Sequence, residues 1–212
     1  VVSGAAALWG ITTALPAGAV TGPAVDATIT IPTASDCAAQ STGPFKVAMS
    51  SDGLYTYATL NGDGRVARLD NATNTVVGTA CTGARYPEGL AVSADGTRLY
   101  VTNGASSNLR IINTADMTTV KDLDVGGSSD GVDVVTVPAA IGKVYVFRHT
   151  EASIVVVQTS DNTVIKTFSV GTSSGRRAQG IVASPDGSKL YALVNEGIAV
   201  IDTTTDSVPS TI

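Results

Sequence analysis

Residues able to do chemistry are few in this chain. His149 is the single histidine, so any Ser-His-Asp relay would have to pass through it. It follows Phe147-Arg148 at the end of an apolar run, where a solvated loop histidine is expected in place of a catalytic base. The sequence holds no Cys-x-x-Cys-His, no His/Cys cluster of zinc or copper spacing, no Gly-x-Ser-x-Gly and no Walker-type loop. No cofactor is therefore expected. The most site-like pair is Arg176-Arg177. Guanidinium forks suit planar anions, so a carboxylate or sugar acid is the ligand class this pair would hold. The plainer reading is a solvated loop whose charges answer Asp130 and Glu151. Asn61-Gly62-Asp63-Gly64 has the start of a calcium loop but not its later carboxylates, and reads as a hairpin turn. Asn71-Ala72-Thr73 is a glycosylation sequon on an expected loop.

The elements that position these residues are short. Between Pro87 and Gly127 lie four β-rich segments: 89–92, 98–102, 109–112 and 119–125. They are separated by Ser93-Ala94-Asp95-Gly96, by Asn103-Gly104 and by a further turn, and close at Gly126-Gly127. Period-2 runs bounded by Asp-Gly and Asn-Gly are antiparallel strands in hairpins. Four such strands in about 40 residues make one propeller blade.

The unit recurs in phase. Pro44 to Gly53 matches Pro87 to Gly96, and Gln179 to Gly187 opens another copy. Between them a degenerate copy has Ala139-Ala140-Ile141-Gly142 in place of the Ser-x-Asp-Gly turn. The fold class expected is all-β: a propeller of four-stranded antiparallel blades, with four full repeats and a partial N-terminal blade. The blades fall near 1–34 (partial), 44–80, 87–127, 129–170 and 178–212 of a single domain. Small residues such as Ala48, Gly89, Ala91 and Ala183 suit inner strands. Tyr55, Tyr100, Tyr145 and Tyr191 are expected on second strands, packed between blades.

Tyr100-Val101-Thr102-Asn103 spells the tetrapeptide that names one repeat family, and the chain from Pro44 onward resembles the YVTN-type β-propellers. That resemblance implies surface-layer and secreted proteins, most often seven-bladed. It also implies a kinship of architecture with propeller lactonases, which would need an acid/base constellation among Arg176, Arg177, Glu88, Asp130 and His149.

In a propeller the loops from outer to inner strand and from second to third strand open on one face. Here they collect Arg85, Tyr86, Glu88, Asp130, Asp133, His149, Glu151, Arg176, Arg177 and Glu196. Arg85, Glu88, Asp130, His149, Arg176 and Arg177 are the candidate ligand-binding residues. Cys37 and Cys81 occupy equivalent sites on neighbouring blades, and a disulfide is expected if their Cα atoms approach within about 7 Å. Two unpaired thiols are the other reading.

Charged residues make up only 15% of the chain and the net charge is −5, with no basic stripe to follow a phosphate backbone, so nucleic acid is not an expected partner. Residues 1–20 are apolar enough to suggest the tail of a signal peptide or an anchor, but they lack a charged n-region, Pro16 and three glycines argue against a membrane helix, and blade residues are the favoured reading. The partial blade lacks its first strand. Three accounts stand: a piece of a larger propeller, a small five-bladed ring, or a strand supplied by a neighbouring subunit. The function expected is a non-catalytic extracellular or cell-surface propeller in adhesion, protein binding, or assembly of a layer or filament. A lactonase-like hydrolase is the alternative.

Overall fold

Three of the four blades are organised by their first turn. Gly96 sits at φ +72°, a conformation that glycine adopts without a Cβ penalty, and its N–H closes onto the Ser93 carbonyl at 2.9 Å. The Ser93 hydroxyl donates to Asp95 Oδ1 at 2.5 Å and accepts from the Arg98 N–H at 2.9 Å. The same side-chain knot is tied by Ser50 with Asp52 and by Ser184 with Asp186. Local chemistry thus sets the register of these three first hairpins.

The computed structural model describes residues 28–31, 37, 43–104, 106–127, 132–137, 141–172 and 180–212. They form sixteen strands in four antiparallel four-stranded sheets, each in sequence order. Blade one is β1 (Pro44–Met49), β2 (Tyr55–Leu60), β3 (Arg65–Asp70) and β4 (Thr75–Cys81). Blade two is β5 (Pro87–Val92), β6 (Arg98–Asn103), β7 (Asn108–Asn113) and β8 (Thr119–Asp124). Blade three is β9 (Val132–Thr136), β10 (Lys143–Arg148), β11 (Ser153–Gln158) and β12 (Thr163–Ser169). Blade four is β13 (Ile181–Ala183), β14 (Lys189–Val194), β15 (Gly197–Asp202) and β16 (Ser207–Thr211). The inner strands follow one another, β1 beside β5, β5 beside β9 and β9 beside β13. The expected fold class is what is found.

Apolar side chains bury between blades, and the alternation along each strand decides which neighbour they meet. Tyr57 and Val66 of blade one meet Leu90, Leu99, Val101 and Ile112 of blade two. Tyr100, Leu109 and Ile111 then meet Val134, Val144, Val146 and Val155 of blade three. Tyr145, Phe147 and Ile154 meet Ile181, Leu190 and Ala199 of blade four. Tyr55 packs against the first of these clusters as expected, and beside it Tyr57, five residues after Asp52 as Tyr100 is after Asp95, is the fully buried tyrosine of blade one. Tyr55 is only half-buried, with the Arg68 guanidinium 5.1 Å over its ring.

Of the expected partial blade, only 28–31 lie among the described residues; Trp9 and the rest of 1–27 lie outside them. Ile29 and Ile31 pack against Ala58, Leu60, Ala67 and Leu69, the face of blade one turned away from blade two. Cys37 is bonded to Cys81 at a Cα separation of 5.7 Å, so the expected disulfide is present.

Candidate functional site

The loops after β2 and β4 meet above the first two blades. Asn61 and Gly62 come from the β2–β3 turn, Arg85 and Tyr86 from the β4–β5 connection, and Phe45 from the start of β1. Together with Gly43 and Pro44 they line an open cleft of about 320 Å³. Backbone bonds fix its walls: the Asn61 N–H donates to the Gly43 carbonyl at 2.8 Å, and the Tyr86 N–H donates to the Asn61 carbonyl at 3.1 Å. The Gly104 N–H donates to the Tyr86 carbonyl at 2.8 Å, repeating in blade two the Asn61–Gly43 bond of blade one. Phe45 and Tyr86 are 60% and 48% exposed, which is unusual for two rings on one rim.

Of the six expected ligand residues, Asp130, Arg176 and Arg177 lie outside the described residues. Arg85 is exposed on the cleft. Glu88 is on the same face, with its carboxylate 2.9 Å from where a Cβ on Gly104 would stand. His149 differs from the solvated loop residue expected: it is half-buried, its ring 4.8 Å from that of Phe147 and tilted by 59°. Both ring nitrogens are shielded from solvent. Phe147, two residues earlier at the end of β10, packs its ring against the imidazole, so a loop position does not mean a wet one here.

Asn71 sits at the turn after β3. Its amide donates from Nδ2 to the Gly53 carbonyl at 2.8 Å, and its Oδ1 accepts from the Thr56 hydroxyl at 2.8 Å. The nitrogen to which a glycan would be joined is thus part of the turn. In the Asn61–Gly64 hairpin, Asp63 is fully buried and accepts from Arg65 Nη2 at 2.7 Å, so that carboxylate faces a guanidinium and serves the hairpin.

The channel wall holds a pair that spacing alone did not reveal. Lys46 of β1 donates through Nζ to the Asp133 carboxylate of β9. Asp133 Oδ1 also accepts from the Val134 N–H at 2.8 Å. Lys46, Gly89, Asp133 and Gly180 hold the same place in their four repeats, so superposing the repeat frames is the signal that would have found it.

A second cleft, of about 260 Å³, opens on the opposite face where blade three lacks the Ser-x-Asp-Gly turn. Its polar groups are largely committed to the fold. Thr136 donates to the Val92 carbonyl at 2.7 Å, Thr159 to the Gly142 carbonyl at 3.0 Å, and Lys143 to Asp206 at 2.7 Å. The Asp95 carboxyl is held below its ordinary value by the Ser93 hydroxyl first, then by the Thr97 N–H.

No family model matches the chain, and no curated protein sequence does. Solved structures do. The chain is similar to the Kuenenia stuttgartiensis hydrazine synthase (TM-score 0.69, 24% identity), covering 91% of this chain and 52% of that one. It is similar to the β-propeller domain of Myceliophteria thermophila Cps50 (Swd1), with TM-score 0.65, 15% identity and coverage of 80% and 54%. It is also similar to dihydro-heme d1 dehydrogenase NirN in complex with DHE (TM-score 0.61, 22% identity), with coverage of 82% and 37%. The chain thus spans about half the length of the first two. These likenesses establish the propeller fold; the YVTN resemblance rests on the residues quoted for it.

Proposed function

We propose that the chain is a non-catalytic, extracellular or cell-surface propeller that works by self-association, assembling copies head to tail into a layer or filament. The observation that carries this reading is a mismatch between equivalent repeat positions. Val182 of blade four is 59% exposed, whereas Ala91, its counterpart in blade two, is 7% exposed beneath blade three. Ile198 is 36% exposed where its counterpart Leu109 is fully buried. Leu193, Ile198 and Ile212 form an apolar ladder across three strands of this face. It is the face that blades one, two and three each bury against the following blade.

A second copy is the occupant that continues this pattern, because its N-terminal side presents the other half of the same repeat interface. On blade one, Val47 and Met49 are exposed on the face opposite blade two, part of which Ile29 and Ile31 cover. A head-to-tail contact of this kind is heterologous and closes into a ring or runs on as a fibre. The disulfide supports an oxidising location.

Light scattering over a concentration series tests the reading. The expected result is a concentration-dependent mass well above 21.3 kDa. Introducing Val182→Lys with Ile198→Glu is expected to return the protein to the monomer while the four blades stay folded. A monomer at every concentration would sink the proposal.

A further inference from the structure

We propose that the cleft formed by Phe45, Asn61, Arg85 and Tyr86 is a binding subsite for a sugar acid, a pyranose ring that carries a carboxylate.

Four observations converge on it. First, Tyr86 is held at φ +62°, in the left-handed region that a bulky residue rarely enters. Its counterpart in blade one is Gly43, which makes the same backbone bond. The chain thus keeps an aromatic ring where its own repeat is satisfied by glycine. The ring does not repay the fold by burial, because nearly half of it faces solvent.

Second, Phe45 stands on the same rim, still more exposed. Two rings around an open cleft present apolar faces of the kind that cover the C–H face of a pyranose. Third, the polar atoms suit hydroxyls. The backbone of Asn61 is committed to the walls, while its side-chain amide and the Tyr86 hydroxyl make no bond among the described residues and point to hydrogen bonding with a ligand.

Fourth, among the described residues lining the cleft Arg85 carries the only charge, and it does so in a chain of net charge −5. A guanidinium carries five N–H donors, so Arg85 can meet a carboxylate beside the contact it already makes within the protein. The volume of about 320 Å³ lies at the small end of ligand clefts, which run from roughly 300 to 1,000 Å³. That suits one or two sugar rings, whereas an extended peptide needs a longer groove.

The proposal does not depend on self-association, and the test is run on the monomeric variant carrying Val182→Lys and Ile198→Glu as well as on the unaltered chain. Saturation-transfer NMR and calorimetry with methyl β-glucuronide are the measurements, with methyl β-glucoside as the neutral control. The expected result is binding of the glucuronide in preference to the glucoside. Tyr86→Gly is backbone-compatible and is expected to leave the melting curve unchanged or raised while weakening glucuronide binding by about tenfold or more. Arg85→Gln is expected to erase the preference for the acid. Equal binding of the two sugars by the unaltered chain would overturn the assignment. So would full glucuronide binding by a folded Tyr86→Gly protein, or binding of an acetylated acidic tripeptide in place of the sugar.

Discussion

The Lys46 ammonium of blade one reaches across blade two to the Asp133 carboxylate of blade three, over the position where blade two has Gly89. The glycine is required by what surrounds it. A Cβ there would stand 2.4 Å from Thr102 Oγ1, 2.9 Å from the Val134 nitrogen and 3.0 Å from the Asp133 Cα. Two of these three are backbone atoms and cannot step aside. Gly89→Ala is therefore expected to destabilise by about 1–3 kcal/mol through overpacking. Lys46→Met leaves the buried Asp133 carboxylate with the Val134 N–H as its remaining bond and should cost about 1–3 kcal/mol. Urea midpoints measure both losses, and an unchanged midpoint for either variant would contradict this assignment.

Blades three and four are riveted by a second polar contact. The Tyr145 hydroxyl donates to Asp206 Oδ1 at 2.7 Å, and Lys143 donates to Oδ2 at 2.7 Å. Tyr145→Phe keeps the packing and the lysine bond, so its expected cost is about 1 kcal/mol. Tyr145→Ala adds a cavity and is expected to cost about 3–5 kcal/mol. Thermal denaturation of the pair separates the hydroxyl from the ring.

The same tyrosine fixes an alkaline limit. Burial, then the bond to Asp206, raises the Tyr145 hydroxyl far above its ordinary value, and burial also raises Tyr57 and Tyr100. Groups with raised values contribute stability that is complete below the unfolded value, about 10, and is lost as pH climbs toward the folded one. Tyrosinate absorbance should therefore show an early exposed class and a late class whose ionisation coincides with unfolding. A single class ionising reversibly in the folded protein would refute this.

At low pH the turn aspartates decide. The hydroxyls of Ser50, Ser93 and Ser184 are the leading cause that holds Asp52, Asp95 and Asp186 below the ordinary carboxylate value. Such lowered groups contribute stability present above the unfolded value, about 3.9, and lost as pH falls through the folded one. Replacing all three serines by alanine should flatten the acid limb of a plot of denaturation midpoint against pH. An unchanged limb would assign acid sensitivity elsewhere.

Much of this was legible because the Ser-x-Asp-Gly knot is local: Ser93, Asp95, Gly96 and Arg98 satisfy one another within six residues, and the sequence prints them together. The same frame placed Cys37 beside Cys81. What the frame hid were pairings between repeats, such as Lys46 with Asp133 and Tyr145 with Asp206, whose partners are distant along the chain. Tyr55 was placed between blades, whereas Tyr57, two residues further along the same strand, was passed over although it is the more deeply buried of the two. The cleft residues were partly named: Arg85 and Tyr86 from their loop, but not Phe45, which stands at the start of β1.

Reducing or replacing the Cys37–Cys81 bond removes a crosslink spanning 44 residues, for which chain entropy gives a loss of up to about 4 kcal/mol. Denaturation with and without reductant measures it, and an unchanged midpoint would place the bond outside the cooperative unit.

That bond also sets a route for force. Every strand of blade one lies inside the covalent loop from Cys37 to Cys81. Tension pulled between the two ends of the chain enters at Cys37, crosses the sulfurs and leaves at Cys81, so the blade within the loop is bypassed. In the oxidised protein blade one carries no such tension; after reduction it does, and roughly 40 residues of slack, each reaching at most ~3.6 Å, become available to lengthen the chain.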